Sequence, residues 1–279
     1  MNALEKVKEI ARLFGEHGIE GPAKEAEVLI TEALPIDPSE LYRGDRELSR
    51  EEEDALFSLA SRRADGEPLQ YLLGSVEFYG LKIHVGRGVL IPRPETELLV
   101  EETIRLLANR QPPFSILDLC TGSGCIALAL AKRFPEAEVY GTDASEAAMV
   151  YSIQNALENN IRNVRFLLGD LFGPVRRMRF DCIVSNPLCF EGRDTDPSAR
   201  SQGFRAGGST GRRCGRAGLL SYDRQGAPRH LKDKGVLALE IGYGQAAEVE
   251  KILRKTGFHT INIVRDFSGI ERIVTGIGK

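Results

Sequence analysis

The sequence has 279 residues, which is long enough for one large domain and a second, smaller one. Hydrophobic residues make up 42% of it and charged residues 28%, the balance expected of a soluble globular protein. The net charge of −3 excludes a general electrostatic attraction to nucleic acids or anionic membranes. No apolar run is long enough to span a membrane, and the amino terminus lacks the apolar core of a signal peptide. We therefore expect a cytoplasmic protein without a membrane partner.

The cysteines do not indicate disulfides or a metal site. There are five of them, an odd number, and Cys120 and Cys125 have the wrong spacing, with no nearby histidine, for zinc. We expect reduced thiols and no bound metal.

Residues 1–75 are predicted to form a small helical domain. Apolar residues recur at helical spacing through a first helix, which two glycines end. Gly21-Pro22 opens a second helix, Asp37-Pro38 a short third one, and Ser49 begins the capping box of a fourth. Nothing in this region suggests chemistry, so these residues alone leave open whether the domain covers a site or docks a partner.

The next stretch combines a predicted hairpin with a rigid segment. Residues 70–85 alternate, with glycines at turn positions, which predicts a β-hairpin. In Leu90-Ile-Pro-Arg-Pro-Glu-Thr-Glu97, two prolines exclude a continuing helix or a central strand around Arg93. Pro94 suits the first position of a following helix. A stiffened backbone can be a simple brace, but it can also orient side chains at a site, so Arg93 and Glu95 are candidate substrate-binding residues.

The strongest signal is a strand, turn and helix followed by a second strand. A buried strand at 115–119 leads into the tight turn Thr121-Gly-Ser-Gly124 and an apolar helix that starts at Cys125. The second strand ends in Asp143, about 20 residues after the glycines. A glycine turn that enters a helix lets the backbone approach a ligand closely, and an acid at the next strand's end can bind ribose hydroxyls. This pattern predicts a nucleotide-like ligand.

Two such ligands fit this layout. A dinucleotide site would show G-x-G-x-x-G, with a third glycine inside the helix, and that glycine is absent. Asp118-Leu-Cys-Thr-Gly-Ser-Gly124 instead resembles the D-x-G-x-G-x-G turn of S-adenosylmethionine-dependent methyltransferases, with Cys120 in place of the first glycine. The Asp118 carboxylate suits the cationic methionine end of that donor, directly or through water, and would repel a pyrophosphate. We favour the methyl donor.

The exit of a third strand, at residues 164–170, provides candidate contacts for the donor's adenine. Asp170 can accept a hydrogen bond from the amino group, and Leu171 or Phe172 can cover the ring face. An aspartate in a turn beside core residues is the structural alternative. Two adjacent strands without a helix between them, about 259–266 and 271–277, predict an antiparallel pair at the end of the chain.

A polar side chain also ends the fourth strand. Residues 182–184 predict a short buried strand that stops at Asn186-Pro187, because proline donates no hydrogen bond to a sheet. Ligands of open α/β sheets bind at the carboxyl ends of the strands. An amide held there can grip a planar N–H group, although an asparagine that caps a turn before proline is common.

With Asn186-Pro187 in this position, the chain resembles the HemK-type methyltransferases, which modify the glutamine of peptide chain release factors. The similarity covers residues 1–187 and 227–279. Its most specific parts are Gly66-Glu-Pro-Leu-Gln-Tyr-Leu-Leu-Gly74, the rigid segment 90–97 and the turn 118–124. Adenine methyltransferases of nucleic acids share an N-P-P-Y signature, but not the rigid segment or the helical N-terminus.

The resemblance implies an α/β protein of the class I S-adenosylmethionine-dependent methyltransferase fold, with a Rossmann-like seven-stranded sheet and a small helical N-terminal domain. Residues 1–75 would dock the release factor, residues 76–94 would form a β-hairpin linker, and residues 95–279 would be the methyltransferase domain. The implied activity is methyl transfer from S-adenosylmethionine to the side-chain amide nitrogen (N5) of a release-factor glutamine. The predicted donor contacts, from the residues and the resemblance together, are Asp118, Cys120, Thr121, Gly122, Ser123, Gly124, Asp143, Asp170, Leu171, Phe172 and Asn186.

Catalysis in such a site is expected to come from positioning. A carboxamide nitrogen is a poor nucleophile, but acceptors that hold both its N–H groups can aim its lone pair at the sulfonium methyl. The side-chain oxygen of Asn186 and the carbonyl of Pro187 are the predicted catalytic acceptors. The predicted substrate-binding residues, from the residues and the resemblance together, are Asn186, Pro187, Leu188, Cys189, Arg93 and Glu95.

The chain departs from the family pattern directly after these residues. N-P-P-Y reads Asn186-Pro187-Leu188-Cys189, so a stiffening proline and a pocket tyrosine are missing. Residues 191–230 contain eight Arg and eight Gly but no Lys, Ile or Val, a composition typical of linkers. Our hypothesis is a shifted reading frame between about Pro187 and Gly226; a basic, glycine-rich nucleic-acid-binding loop is the alternative. Resequencing the gene decides between them.

Two other functions stay open at this point. One is adenine-N6 methylation of nucleic acid, which the net charge and the N-terminal domain disfavour. The other is a protein that binds the donor without turnover because the acceptor pocket is altered.

Overall fold

The computed structural model describes residues 1–34, 36–187 and 226–278. The predictions for Leu188, Cys189 and the Arg- and Gly-rich stretch lie outside these residues. The described chain divides into two compact units, Met1–Ser75 and the residues from Val76 onward.

The N-terminal unit is a helical bundle, as predicted. Its helices are α1 (Ala3–Glu16), α2 (Pro22–Ala33), α3 (Pro38–Arg43), α4 (Arg50–Ala64) and α5 (Leu69–Leu73). The side chains of Asn2 and Ser49 cap α1 and α4, each in a complete capping box. Phe14, Leu29 and Leu56 are fully buried in an apolar core shared by the helices.

The hairpin is shorter than its alternating pattern predicted. Its strands are β1 (Ser75–Phe78) and β2 (Leu81–His84), and the residues before them form α5 instead. Gly74, at the C-cap of that helix, has φ +77°, which glycine adopts without strain. The extra helix before the hairpin therefore ends at Gly74.

The second unit contains the mixed sheet of seven strands that the sequence predicted. Its strands are β3 (Ser115–Leu119), β4 (Glu138–Asp143), β5 (Val164–Leu168), β6 (Phe180–Ser185), β7 (Leu231–Glu240), β8 (His259–Arg265) and β9 (Glu271–Ile277). They lie in the order β5-β4-β3-β6-β7-β9-β8. The strands β3 to β7 are parallel, and β9 is antiparallel to both β7 and β8, as predicted for the final pair.

Five helices of the described residues pack against this sheet. They are α6 (Pro94–Leu107), α7 (Cys125–Arg133), α8 (Glu146–Glu158), α9 (Ala227–His230) and α10 (Ala246–Lys255). Every residue of β6 is buried, which explains why its middle, residues 182–184, is apolar without alternation. The strand β7 begins at Leu231, five residues before the apolar run that starts at Val236. Its first part contains the exposed polar residues 232–234, so the apolar pattern alone does not mark its start.

The amino end of the central strands is fixed by one charged residue. Asp181 accepts hydrogen bonds from Arg110, from Lys232 and from the backbone N–H of Ser115, at 2.8, 2.7 and 2.8 Å. These contacts hold the pKa of Asp181 below its usual value, against the opposing effect of its burial. At this end of the sheet, Asp181 therefore links β6 to β3, to β7 and to Arg110, whereas the carboxyl end is available to ligands.

Two negative findings apply to the described residues only. Their helices include none with the length and apolar character needed to cross a membrane. They also bring no three His, Cys, Asp or Glu side chains together in a way that could hold a metal ion.

Candidate active site at the carboxyl edge of the sheet

The register of four parallel strands places the predicted site residues side by side. Leu119 pairs with Thr142 of β4 and with Ser185 of β6, and Ser185 pairs in turn with Leu239 of β7. The next residue of each strand stands at the carboxyl edge, where the ligands of such sheets bind. This row is Asp143, Cys120, Asn186 and Glu240.

The turn after β3, which we call the donor loop (residues 120–124), is held largely by backbone N–H groups. Thr121 N donates to Thr142 O at 3.0 Å, and Gly122 N donates to Asp143 Oδ2 at 2.9 Å. Gly124 N donates to Thr121 O at 2.8 Å and closes the turn before α7. The loop is thus tied to the end of β4, the strand that carries the predicted ribose-binding acid.

Three residues of the donor loop have a left-handed backbone. Cys120, Gly122 and Gly124 have φ of +59°, +54° and +82°. A Cβ on Gly124 would lie 3.0 Å from atoms of Phe166 and Ser152, whereas a Cβ on Gly122 would meet nothing within 4 Å. Gly124 is therefore required by packing inside the protein, while Gly122 borders open space in which a ligand can approach the backbone.

Asp118 lies beneath the donor loop and is fully buried. Its Oδ2 accepts hydrogen bonds from Thr121 Oγ1 at 2.6 Å and from Ala127 N at 3.2 Å. Burial, more than any other cause, raises the pKa of Asp118 to about 7. Its Oδ1 has no hydrogen-bond partner among the described residues. A buried carboxyl oxygen without a partner beneath a glycine turn is suited to a ligand whose positively charged end lies above the turn. Because Asp118 is buried, the interaction would be a charge–charge attraction at a distance or a hydrogen bond through a bridging water.

Asp143 is positioned by the backbone of the elements it joins. Besides Gly122 N, which donates to Oδ2, Ser145 N donates to Oδ1 at 2.9 Å. A carboxylate has about four lone-pair sites, so two stay available for ribose hydroxyls. Asp143 is half-buried, which leaves a ligand access to them.

The turn after β5 reaches the same edge, because Gly169 N donates to Asp143 O at 2.8 Å. Asp170 is exposed, and Leu171 is half-buried with φ +45°. Phe172 is buried in the core, with its ring stacked on that of His230 at a centroid distance of 4.4 Å and an interplanar angle of 14°. Since one face of Phe172 is already covered, Leu171 is the better candidate for the adenine ring.

At the other end of the row, Asn186 is held by side chains. Its Nδ2 donates to Thr96 Oγ1 at 3.1 Å, and Thr96 Oγ1 donates to Glu240 Oε2 at 2.8 Å. Ser185, the residue before it, donates from Oγ to Leu119 O at 2.7 Å and so joins β6 to the end of β3. Asn186 is half-buried and Pro187 is buried. We call Thr96, Asn186 and Glu240 the acceptor group.

The predicted residues Arg93 and Glu95 lie near the acceptor group. Burial of the Glu240 carboxyl raises its pKa, and the charge of Glu95 acts in the same direction. The Thr96 hydrogen bond and the charges of Arg93 and Arg272 act in the opposite direction. The rigid segment therefore begins α6 and also places the charges of Arg93 and Glu95 near the acceptor group.

Sequence reasoning missed three residues of this edge. Glu240 is the last residue of β7, so the carboxyl-edge argument used for Asn186 could have found it, whereas Thr96 lies on α6 within the rigid segment and has no signal of its own. The third is Asn155 of α8, whose Nδ2 donates to Ser123 O at 2.9 Å and to His84 O at 3.1 Å. Its Oδ1 accepts from His84 N at 2.7 Å. A single asparagine within a helix gives no signal that could have predicted this role.

Comparison with known proteins identifies the family. Residues 5–74 match the family described as PrmC N-terminal domain, and residues 95–235 match the methyltransferase small domain. A release factor glutamine methyltransferase of Thermodesulfovibrio yellowstonii is 40% identical over 98% of this chain and 97% of its own length. One of Geobacter sulfurreducens is 40% identical over 94% of this chain and 92% of its own length. The chain belongs to the release factor glutamine methyltransferase family.

The fold is shared more widely than the family. A ribosomal protein L11 methylase from Lactobacillus delbrueckii subsp. bulgaricus is 22% identical, with a TM-score of 0.51, and the match covers 71% of this chain and 86% of that chain. This likeness concerns the fold alone. The predicted family and the predicted class I methyltransferase fold are both confirmed.

Proposed function

We propose that this protein transfers a methyl group from S-adenosylmethionine to the side-chain amide nitrogen (N5) of a glutamine in a peptide chain release factor. The observation that carries the proposal is the register of β4, β3, β6 and β7. It brings the donor loop and Asn186 to neighbouring positions on one edge. Relatives that are 40% identical over nearly the whole chain bear the name of this activity.

The donor half of the proposed site uses the backbone and three carboxyl groups. Asp143 would bind the ribose hydroxyls, the open side of Gly122 would allow close approach, and Asp118 would complement the positive charge of the donor. Leu171 would lie against the adenine, with Asp170 near its amino group. The donor supplies an electrophilic methyl group on a sulfonium.

The acceptor half would position the glutamine amide. Asn186 Oδ1 and the Pro187 carbonyl would accept its two N–H groups, and the nitrogen lone pair would then face the methyl carbon in line with the C–S bond. The new N–C bond forms as the C–S bond breaks, its electron pair stays on the sulfur, and one amide proton leaves to solvent. We include Arg93, Glu95, Leu188 and Cys189 in the acceptor pocket as in the sequence-based prediction.

The helical N-terminal unit, residues 1–75, would dock the release factor, with residues 76–94 as the hairpin between it and the methyltransferase domain at 95–279. A cytoplasmic location and the lack of stable nucleic-acid or metal binding remain predictions from the sequence. Each stands apart from the proposed reaction.

Mass spectrometry of the release factor after incubation with the protein and the donor tests the proposal. We expect one added methyl group on a single glutamine, and far less methylation by the Asn186→Ala variant in the same time. RNA and DNA are offered in parallel reactions. Methyl groups on adenine instead of glutamine would overturn the proposal, and donor binding without any transfer would identify a protein that only binds the donor.

A further inference from the structure

The acceptor group contains two side chains that have no role in the proposed contacts with donor or glutamine. Thr96 lies in the first turn of α6, and Glu240 is the last residue of β7. Thr96 is 2% exposed, so its hydroxyl meets protein groups rather than solvent. Its Oγ1 joins Asn186 Nδ2 at 3.1 Å to Glu240 Oε2 at 2.8 Å.

The donors and acceptors of these two hydrogen bonds follow one order, from Asn186 through Thr96 to Glu240. A threonine hydroxyl has one hydrogen, and here it is donated to the Glu240 carboxylate. Only lone pairs of Oγ1 then face Asn186, and they can accept from its NH₂ group but would repel its oxygen. The amide of Asn186 is thereby turned so that Oδ1 points away from Thr96.

This orientation matters for a group that can otherwise rotate by half a turn. The oxygen and nitrogen ends of an asparagine amide have nearly the same shape and opposite hydrogen-bonding properties. An oxygen facing the pocket accepts an N–H of a substrate amide, whereas an NH₂ in its place would repel it. The difference between the two orientations is therefore a difference between a working and a blocked acceptor.

We propose that Thr96 and Glu240 are positioning residues that hold the Asn186 amide with its oxygen toward the substrate amide. The inference rests on the proposed function, since it concerns how the glutamine amide is received. It adds that the rigid segment contributes an orienting hydroxyl, and that the carboxylate at the end of β7 acts through this hydroxyl without touching the substrate.

Three variants separate orientation from packing. Thr96→Val keeps the shape but removes the hydroxyl, and Thr96→Ser restores it. Glu240→Gln keeps the shape of the carboxylate but offers an NH₂ that can donate to Thr96, so that the threonine can donate to Asn186 Oδ1 and reverse the amide. Thr103→Val is the matched control, because Thr103 is a buried threonine of the same helix whose hydroxyl donates to Leu99 O at 2.7 Å.

The first readout is steady-state methyl transfer to the release factor, together with donor affinity by calorimetry and thermal unfolding. We expect Thr96→Val and Glu240→Gln to lower kcat by about 10- to 100-fold, with donor affinity and unfolding temperature close to those of Thr103→Val. Thr96→Ser should recover most of the loss. A Val variant with wild-type kcat, a Ser variant as impaired as Val, or a loss that follows donor affinity would overturn the proposal.

The second readout does not depend on activity. In protein labelled with ¹⁵N-asparagine, the Nδ2 signal of Asn186 is identified by its absence in Asn186→Ala. Its side-chain hydrogens should exchange slowly with solvent in the parent and in Thr96→Ser, and rapidly in Thr96→Val. If the parent transfers no methyl group, the proposed function fails while this signal still decides the orientation. Equal exchange in all variants would overturn the orientation alone.

Discussion

The donor loop and the acceptor group lie on one edge of the sheet but are held by different kinds of hydrogen bond. The donor loop is fixed mainly by its own backbone N–H groups and by left-handed residues that are close together in sequence, with one side-chain bond from Asn155 to Ser123 O. The acceptor group is fixed by side chains that are 90 and 144 positions apart. A loop held mainly by backbone bonds should depend little on the identity of its side chains, whereas a group built from side chains should lose its geometry when one of its hydrogen-bonding groups is removed.

The strongest test of this difference is removal of the Asn186 amide. We expect Asn186→Ala to lower the rate of methyl transfer by about 100- to 1,000-fold, the usual effect of losing one oriented polar group in an active site. Donor affinity should fall much less than the rate, because Asn186 is one of several predicted donor contacts and the donor loop is held independently of it. Asn262→Ala, an exposed asparagine of β8, is the control for general effects of the substitution. An equal loss of donor affinity would show that the two regions are not independent.

A second test concerns the pH dependence of the donor side. The folded protein holds the Asp118 proton up to a pKa of about 7, well above the value of an exposed carboxyl. The native state therefore binds this proton more tightly than the unfolded state, so the stabilisation is complete below about pH 4 and is lost as the pH rises through about 7. Between pH 5.5 and pH 8 the contribution to the free energy of unfolding should fall by ~2 kcal/mol.

Urea unfolding at these two pH values measures the effect. Asp118→Asn should remove this part of the pH dependence, whereas Asp233→Asn, which changes an exposed carboxyl of β7, should leave it in place. A parent protein with the same pH dependence as Asp118→Asn would show that the carboxyl beneath the donor loop is not perturbed by burial.

The smallest expected effect is at Cys120, where a non-glycine residue occupies a left-handed position. This conformation costs a non-glycine residue about 1–2 kcal/mol. Glycine avoids that cost, but its greater freedom in the unfolded chain offsets about half of the gain in stability. Cys120→Gly should therefore raise the free energy of unfolding by up to ~1 kcal/mol, measured by urea titration. Cys120→Ala keeps the Cβ and should not be stabilised; an equal gain in both variants would assign the effect to the thiol.

The same difference decides how much of the site could be predicted from the sequence. The donor loop follows from local rules, because glycines, a strand before them and an acid after the next strand lie within about 30 residues. Asn186 was predictable because proline ends the strand beside it. The bonds of Thr96 to Asn186 and Glu240 depend on how α6 packs beside the ends of β6 and β7, which no local pattern specifies. The stacking of Phe172 on His230 was hidden for the same reason.

The three hydrogen bonds of Asn155 have a consequence for where the catalytic part of the chain begins. One amide binds both backbone groups of His84 in the hairpin and the carbonyl of Ser123 in the donor loop. A shortened protein that starts at residue 95 would retain the whole sheet, yet would expose a buried asparagine with two of its partners removed. The smallest piece able to bind the donor tightly should therefore start before β1, at the boundary of the helical unit.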